Sequence, residues 1–172
     1  MKKHIVLVGL PGSGKTTVGR LVAEELQVAF VDVDAALVRK EGRSIGSIFA
    51  EQGEAAFRAL ERREVDAALA HEPGVIAPGG GWAAQAGNLE AAKERGFVVY
   101  LKTRPETAAA RAAPEGTRPV LLGEDPVLRM RTLLREREPF YSRADARVDT
   151  DRVLARGVAA EVVRLARTSA GW

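Results

Sequence analysis

The chain has 172 residues, 46% hydrophobic and 28% charged, a balance that fits one globular domain able to bury a real core. Its 26 Lys and Arg against 23 Asp and Glu leave a net charge of +3, but the two signs are interleaved, without a basic block and with only 5% aromatics. That pattern argues against nucleic acid and for small anionic ligands. The lack of Cys excludes disulfides, thiolate catalysis and cysteine-held metals, no apolar run nears the ~20 residues of a membrane span, and the N-terminus has no signal-peptide pattern, so a cytoplasmic protein is expected.

In chain order, the apolar run Ile5–Val8 reads as a strand and leads into Gly9-Leu10-Pro11-Gly12-Ser13-Gly14-Lys15-Thr16, which matches G-x-x-x-x-G-K-[ST] at every fixed position. Each residue type answers a need of a bound polyphosphate. Glycines let backbone N–H groups approach phosphate oxygens, Lys15 can reach the β- and γ-phosphates, and the Thr16 hydroxyl can ligate Mg²⁺. Thr16–Leu26 has helical apolar spacing, so the positive end of a helix faces the anion.

A second strand is predicted over Val28–Val33 and ends in Asp32-Val33-Asp34. Spacing of i, i+2 puts both carboxylates on one strand face, where one can hold Mg²⁺ or its waters and the other can accept a substrate hydroxyl proton. A helix N-cap followed by a solvated turn acid explains the same residues. Asp34 to Pro73 shows no strand, only a long helical stretch over Ile45–Leu69 in which Arg58 and Glu61 share a face; a surface ion pair accounts for that spacing equally well.

The third strand, Val75–Ala77, is followed by Gly79-Gly80-Gly81, where many proteins with this loop carry an Asp for magnesium; bare backbone there lets a ligand lie close. Further on come a helix over Leu89–Arg95, a strand over Phe97–Leu101, a helix over Pro105–Ala112, and a segment, residues 112–125, rich in Pro, Gly and charge around Arg118-Pro119. That segment reads as a lid or as ordinary connecting chain. A helix over Pro126–Arg137 closing before Pro139, a weak strand over Ala146–Val148 and a helix over Arg152–Arg167 complete the pattern. His4 and His71 have no partner pattern and read as structural or exposed, and Trp82 and Tyr141 read as packing residues. Alternating strands and helices point to a parallel sheet covered on both faces.

The ordered set Gly9–Thr16, Asp32-Val33-Asp34, Phe57-Arg58-Ala59-Leu60-Glu61, Gly79-Gly80-Gly81, Arg118-Pro119 and Arg137-x-x-x-Tyr141 resembles the shikimate kinase family over most of the chain. The resemblance implies an α/β P-loop NTPase fold of the adenylate-kinase-like, three-layer kind: a five-stranded parallel sheet, a helical substrate-binding region at residues 33–62 and a short lid at 112–125, all in one domain spanning 1–172. It implies transfer of the γ-phosphoryl of ATP to the 3-hydroxyl of shikimate, with Mg²⁺, in the route to chorismate and the aromatic amino acids, by a protein expected to be a monomer.

By the same resemblance, Pro11, Gly12, Ser13, Gly14, Lys15, Thr16 and Thr17 hold the ATP phosphates, and Thr16 and Asp32 serve the metal. Asp34 holds ring hydroxyls, Arg58 and Arg137 grip the acceptor carboxylate, and Gly80 and Gly81 line the acceptor. Arg118 reaches the transferring phosphoryl from the lid, and Arg111 and Arg152 flank adenine. Arg135, two residues before Arg137, is the register competitor for the carboxylate. Lys15, Asp34 and Arg118 form the expected catalytic set. A kinase of another hydroxylated acid such as gluconate, a nucleoside monophosphate kinase, a nucleotide-dependent switch and a nucleic-acid binder are the rival readings.

Overall fold

Four of the five strands have five residues or fewer, and all pair in parallel without hairpins. The computed structural model describes residues 1–112 and 125–172. Strands β1 (His4–Val8), β2 (Phe30–Asp32), β3 (Val75–Ala77), β4 (Gly96–Lys102) and β5 (Ala146–Asp149) form one parallel sheet in the order β2-β3-β1-β4-β5. Every residue of β1 is buried, as a strand with helices on both faces requires. Successive side chains still part to opposite sides: Val6 and Val8 enter one core, Ile5 and Leu7 the other.

The second core is closed by α1 (Lys15–Leu26) and α8 (Ala155–Ser169), through Val18, Val22, Val158 and Val162. The first core lies under α2 (Val33–Glu41), α3 (Ile45–Gln52), α4 (Glu54–Ala70), α5 (Asn88–Lys93), α6 (Pro105–Ala112) and α7 (Pro126–Tyr141). Among the described residues no helix is long and apolar enough to cross a membrane. His4 is buried, and its Nδ1 accepts the Gly74 N–H at 3.2 Å, a structural role.

Several expected boundaries move, each for a local reason. β2 stops at Asp32 because that side chain caps the next helix, accepting the Ala35 N–H at 3.2 Å; Asp34 therefore sits in the first turn of α2 and not on the strand. The long helical stretch expected from Ile45 breaks at Gly53, whose φ of 85° ends α3 and precedes α4. Within the helical region expected at residues 33–62, α2 is a separate helix that ends at Gly42 with φ 68°. α7 runs past Arg137 to Tyr141 with Pro139 in its last turn, and the Ser142 N–H still closes on the Glu138 carbonyl at 2.9 Å. α8 starts at Ala155 and not at Arg152, whose φ of 59° is left-handed. The expected lid at 112–125, with Arg118, lies outside the described residues apart from its two ends.

Because all strands run the same way, their C-terminal ends bring the Gly9–Thr16 loop, Asp32 and the Gly79–Gly81 turn to one edge. The close seating of α1 beside β2 depends on Gly19, where a Cβ would overlap the Phe30 ring. Gly19→Ala should therefore destabilise the fold by about 1–3 kcal/mol through overpacking. Urea unfolding measures this, and an unchanged midpoint would show that Phe30 moves aside freely.

Candidate active site

The loop after β1 is built from backbone conformations that only glycine adopts easily. Gly9, Gly12 and Gly14 have φ of 152°, 79° and 94°, and a Cβ on Gly12 would strike the Ala108 carbonyl of α6. Gly14 caps α1 without a side-chain hydrogen bond, and the positive end of that helix faces the loop. The Ser13 N–H donates to the Leu10 carbonyl at 3.1 Å, and Lys15 Nζ donates to the Gly9 and Leu10 carbonyls at 2.8 and 2.9 Å. Pro11 and Ser13 are buried, whereas Thr17 is exposed beside Thr16.

Asp32 does two jobs at once. One oxygen caps α2, and the other accepts the Thr16 hydroxyl at 3.0 Å. The helix-cap and metal-site readings of Asp32 are thus compatible. Two hard oxygens at this spacing suit Mg²⁺, which takes one or two protein oxygens and completes its shell with phosphate and water. Among the described residues, no group of three or more His, Cys, Asp or Glu could hold a metal by itself.

Beside this edge lies a cluster drawn from four segments. Glu61 is 0% exposed, and its Oε1 accepts from Arg58 Nη1 at 2.9 Å. The surface ion pair suggested by spacing is therefore a buried one. Burial pushes the Glu61 carboxyl above the usual glutamate range; Arg58 opposes that shift, the Asp34 carboxylate adds to it, and Arg137 also opposes it. These four groups share one electrostatic environment although they are far apart in sequence.

The Gly79–Gly81 turn is their common surface. A Cβ on Gly79 would overlap Glu61 Oε2 and lie 3.0 Å from Asp34 Oδ1; one on Gly80 would lie 3.0 Å from Arg137 Nη1; one on Gly81 would overlap the Arg58 guanidinium. A side chain at Gly79 or Gly81 would displace the Glu61 carboxylate or the Arg58 guanidinium, and Gly80 leaves only tight space for Arg137. Of the two arginines, Arg137 has its Nη1 buried against this turn, whereas Arg135 is exposed. Tyr141, one helical turn further on, is fully buried and donates its hydroxyl to the Gly80 carbonyl at 2.5 Å. Burial pushes its hydroxyl pKa up to about 12, which keeps it a donor.

Glu61 and Tyr141 are the two residues whose part at this site sequence spacing did not reveal. Their signal was present, in the i, i+3 and i, i+4 steps from Arg58 and Arg137, but spacing does not say which helix face meets the core. On the far side of the loop, Arg111 donates to the Thr150 hydroxyl at 3.3 Å and to its carbonyl at 3.1 Å. Thr150 is two residues before the exposed Arg152, so both arginines expected near adenine stand at the start of the β5–α8 connection. Arg118 lies outside the described residues.

A phosphate-binding loop on the central strand, an oxygen pair suited to Mg²⁺ and an Arg- and carboxylate-lined turn alongside define a P-loop phosphotransferase for a small acceptor. The family model for shikimate kinase matches residues 11–167. The chain is 46% identical to the shikimate kinase of Symbiobacterium thermophilum over 93% of its own length and 94% of that protein. Among solved structures it matches a shikimate kinase from Acinetobacter baumannii in complex with shikimate, with TM-score 0.91, 39% identity and coverage of 96% and 93% of the two chains. A gluconokinase from Sinorhizobium meliloti, at 21% identity, 96% and 94% coverage and TM-score 0.59, shares the fold alone. The chain belongs to the shikimate kinase family and is a kinase.

Glu61 makes the stability of this site pH-dependent. In the unfolded chain it ionises near 4.5, and in the fold it ionises higher, so between those values the folded state binds more protons. Stability from this group is full below the lower value and falls as pH rises through the higher one. Thermal midpoints of wild type and Glu61→Gln, followed upward from that range, should diverge in this sense. A constant offset would show that Glu61 titrates alike in both states.

Proposed function

We propose that this protein transfers the γ-phosphoryl group of ATP to the 3-hydroxyl of shikimate, giving shikimate 3-phosphate and ADP on the way to chorismate and the aromatic amino acids. The observation that carries the reading is the convergence of Arg58, Arg137, Asp34 and the bare Gly79–Gly81 turn beside the phosphate loop. A small acid with several hydroxyls needs cations for its carboxylate and an acceptor for its hydroxyl proton, and this cluster offers both.

In this reading Arg58 and Arg137 hold the carboxylate through charge-assisted hydrogen bonds, which fixes the ring against the glycine turn. Asp34 accepts the hydrogen bond of the reacting hydroxyl and takes its proton as that oxygen bonds to the γ-phosphorus. The bond from the γ-phosphorus to the bridging oxygen breaks, and the electron pair leaves with ADP. Lys15 leaves the Gly9 and Leu10 carbonyls to neutralise phosphate charge, while the N–H groups at the start of α1 bind the same phosphates. Thr16 and Asp32 would hold Mg²⁺, which would supply positive charge to the phosphates. Arg111 and Arg152 flank the adenine.

Coupled ADP release with shikimate, gluconate and AMP in parallel tests the reading. ADP should form with shikimate and stay at background with the other two; activity confined to gluconate or AMP would replace the proposed acceptor. Lys15→Ala should lower turnover by about 100-fold or more while the fold persists, as loss of a preorganised charge contact does. Arg58→Ala or Arg137→Ala should raise the shikimate KM, at a cost of about 2–4 kcal/mol in kcat/KM, with the ATP KM nearly unchanged. Equal weakening of ATP in both variants would remove the carboxylate clamp.

A further inference from the structure

The three glycines of the acceptor turn have their carbonyls tied down one by one. The Gly79 carbonyl accepts the Trp82 N–H at 3.1 Å, and the Gly81 carbonyl accepts the Ala84 N–H and Gln85 Nε2, both at 3.2 Å. These partners are local, supplied by the turn that follows. The Gly80 carbonyl differs: it accepts the Tyr141 hydroxyl, 61 residues away on α7.

A trans peptide points its carbonyl and the following N–H in opposite directions. Holding the Gly80 carbonyl toward Tyr141 therefore turns the Gly81 N–H away from Tyr141. Glycine flanks make that plane easy to flip, because neither neighbour has a Cβ to resist rotation. The tyrosine itself is held firmly. Its ring stacks on Tyr100 with centroids 5.0 Å apart, and the Tyr100 hydroxyl donates to Glu138 on α7 at 2.5 Å. Arg137 stands one turn before Tyr141 on the same helix, with its Nη1 against Gly80.

We infer that Tyr141 is a positioning residue for the acceptor: its hydroxyl fixes the Gly80–Gly81 peptide plane and keeps the glycine turn in register with Arg137. The inference rests on the reading above, in which that turn and Arg137 receive shikimate. Tyr141 touches no reacting atom. It acts through the turn, so its removal should be felt by the acceptor and not by ATP.

Tyr141→Phe keeps the ring, its burial and its stacking, and removes only the hydroxyl. The shikimate KM should rise about tenfold or more, while the ATP KM stays within about twofold, because an acceptor oxygen inside the site loses its donor. Trp82 follows Gly81 directly and is buried, so its emission in a Trp172→Phe background gives a separate binding readout. Shikimate titration there should show the same loss of affinity. Tyr100→Phe is the packing control: it breaks the bond to Glu138, leaves the Gly80 bond in place, and should shift the shikimate KM by less than about twofold.

An unchanged shikimate KM in Tyr141→Phe, with wild type active, overturns the inference and leaves the function standing. So does an equal rise in both KM values, or a Tyr100→Phe effect as large as that of Tyr141→Phe, since each marks general packing. Wild-type protein that releases no ADP with shikimate overturns the function and this inference together.

Discussion

A carboxylate with no exposed surface, Glu61, set 2.9 Å from the Arg58 guanidinium, organises the cluster around the Gly79–Gly81 turn. Taking the Glu61 charge out of water is costly, and Arg58, itself partly buried, offsets that cost only if neither partner drifts. The neighbours supply that restraint. Phe57 packs on Phe49 with centroids 4.7 Å apart, which fixes the start of α4, and the glycines at 79 and 81 leave no side chain to push Glu61 or Arg58 aside. Arg58 therefore has its place before any substrate arrives, and a site arranged in advance loses little freedom on binding.

The nucleotide half depends far less on side-chain charge. Its shape comes from left-handed glycines leading into α1, whose positive end favours an anion. One residue joins the halves: Asp32 ties Thr16 on α1 to Ala35 on α2, the helix whose first turn carries Asp34. A single carboxylate thus ties the helix that follows the glycine loop to the helix that carries Asp34. In phosphoryl transfer, where positioning carries most of the rate, such a joint is as important as the groups that touch substrate.

What could be read from the chain follows the same division. The phosphate loop was legible because each of its fixed residues answers a backbone or charge requirement that short-range order alone imposes. β3 appeared at its true limits for a similar reason, as a short apolar run bounded by Gly74 and Pro78. Asp34 was placed on the strand because Val33 looked like one more strand residue; the cap that ends β2 is a local bond from the Ala35 N–H to Asp32, legible as one of two alternatives between which sequence does not choose. Glu61 was visible only as a partner of Arg58, since spacing gives the face of a helix and not what covers it. Tyr141 was hidden further, because its role depends on a contact 61 residues away.

The sheet order also says something about when this protein becomes competent during synthesis. The strand that carries the phosphate loop is central, and its neighbours are β3, roughly seventy residues later, and β4, later still. As the chain leaves the ribosome, the loop emerges early, gains β3 on one side once Ala77 has followed, and is flanked on both sides only after residues near Lys102. Pairings this distant close slowly, since the entropy of the intervening loop is lost before any contact offsets it. Nucleotide can therefore brace the loop only after most of the domain exists, and the N-terminal third of the chain, despite bearing the most recognisable motif, is a passenger until then.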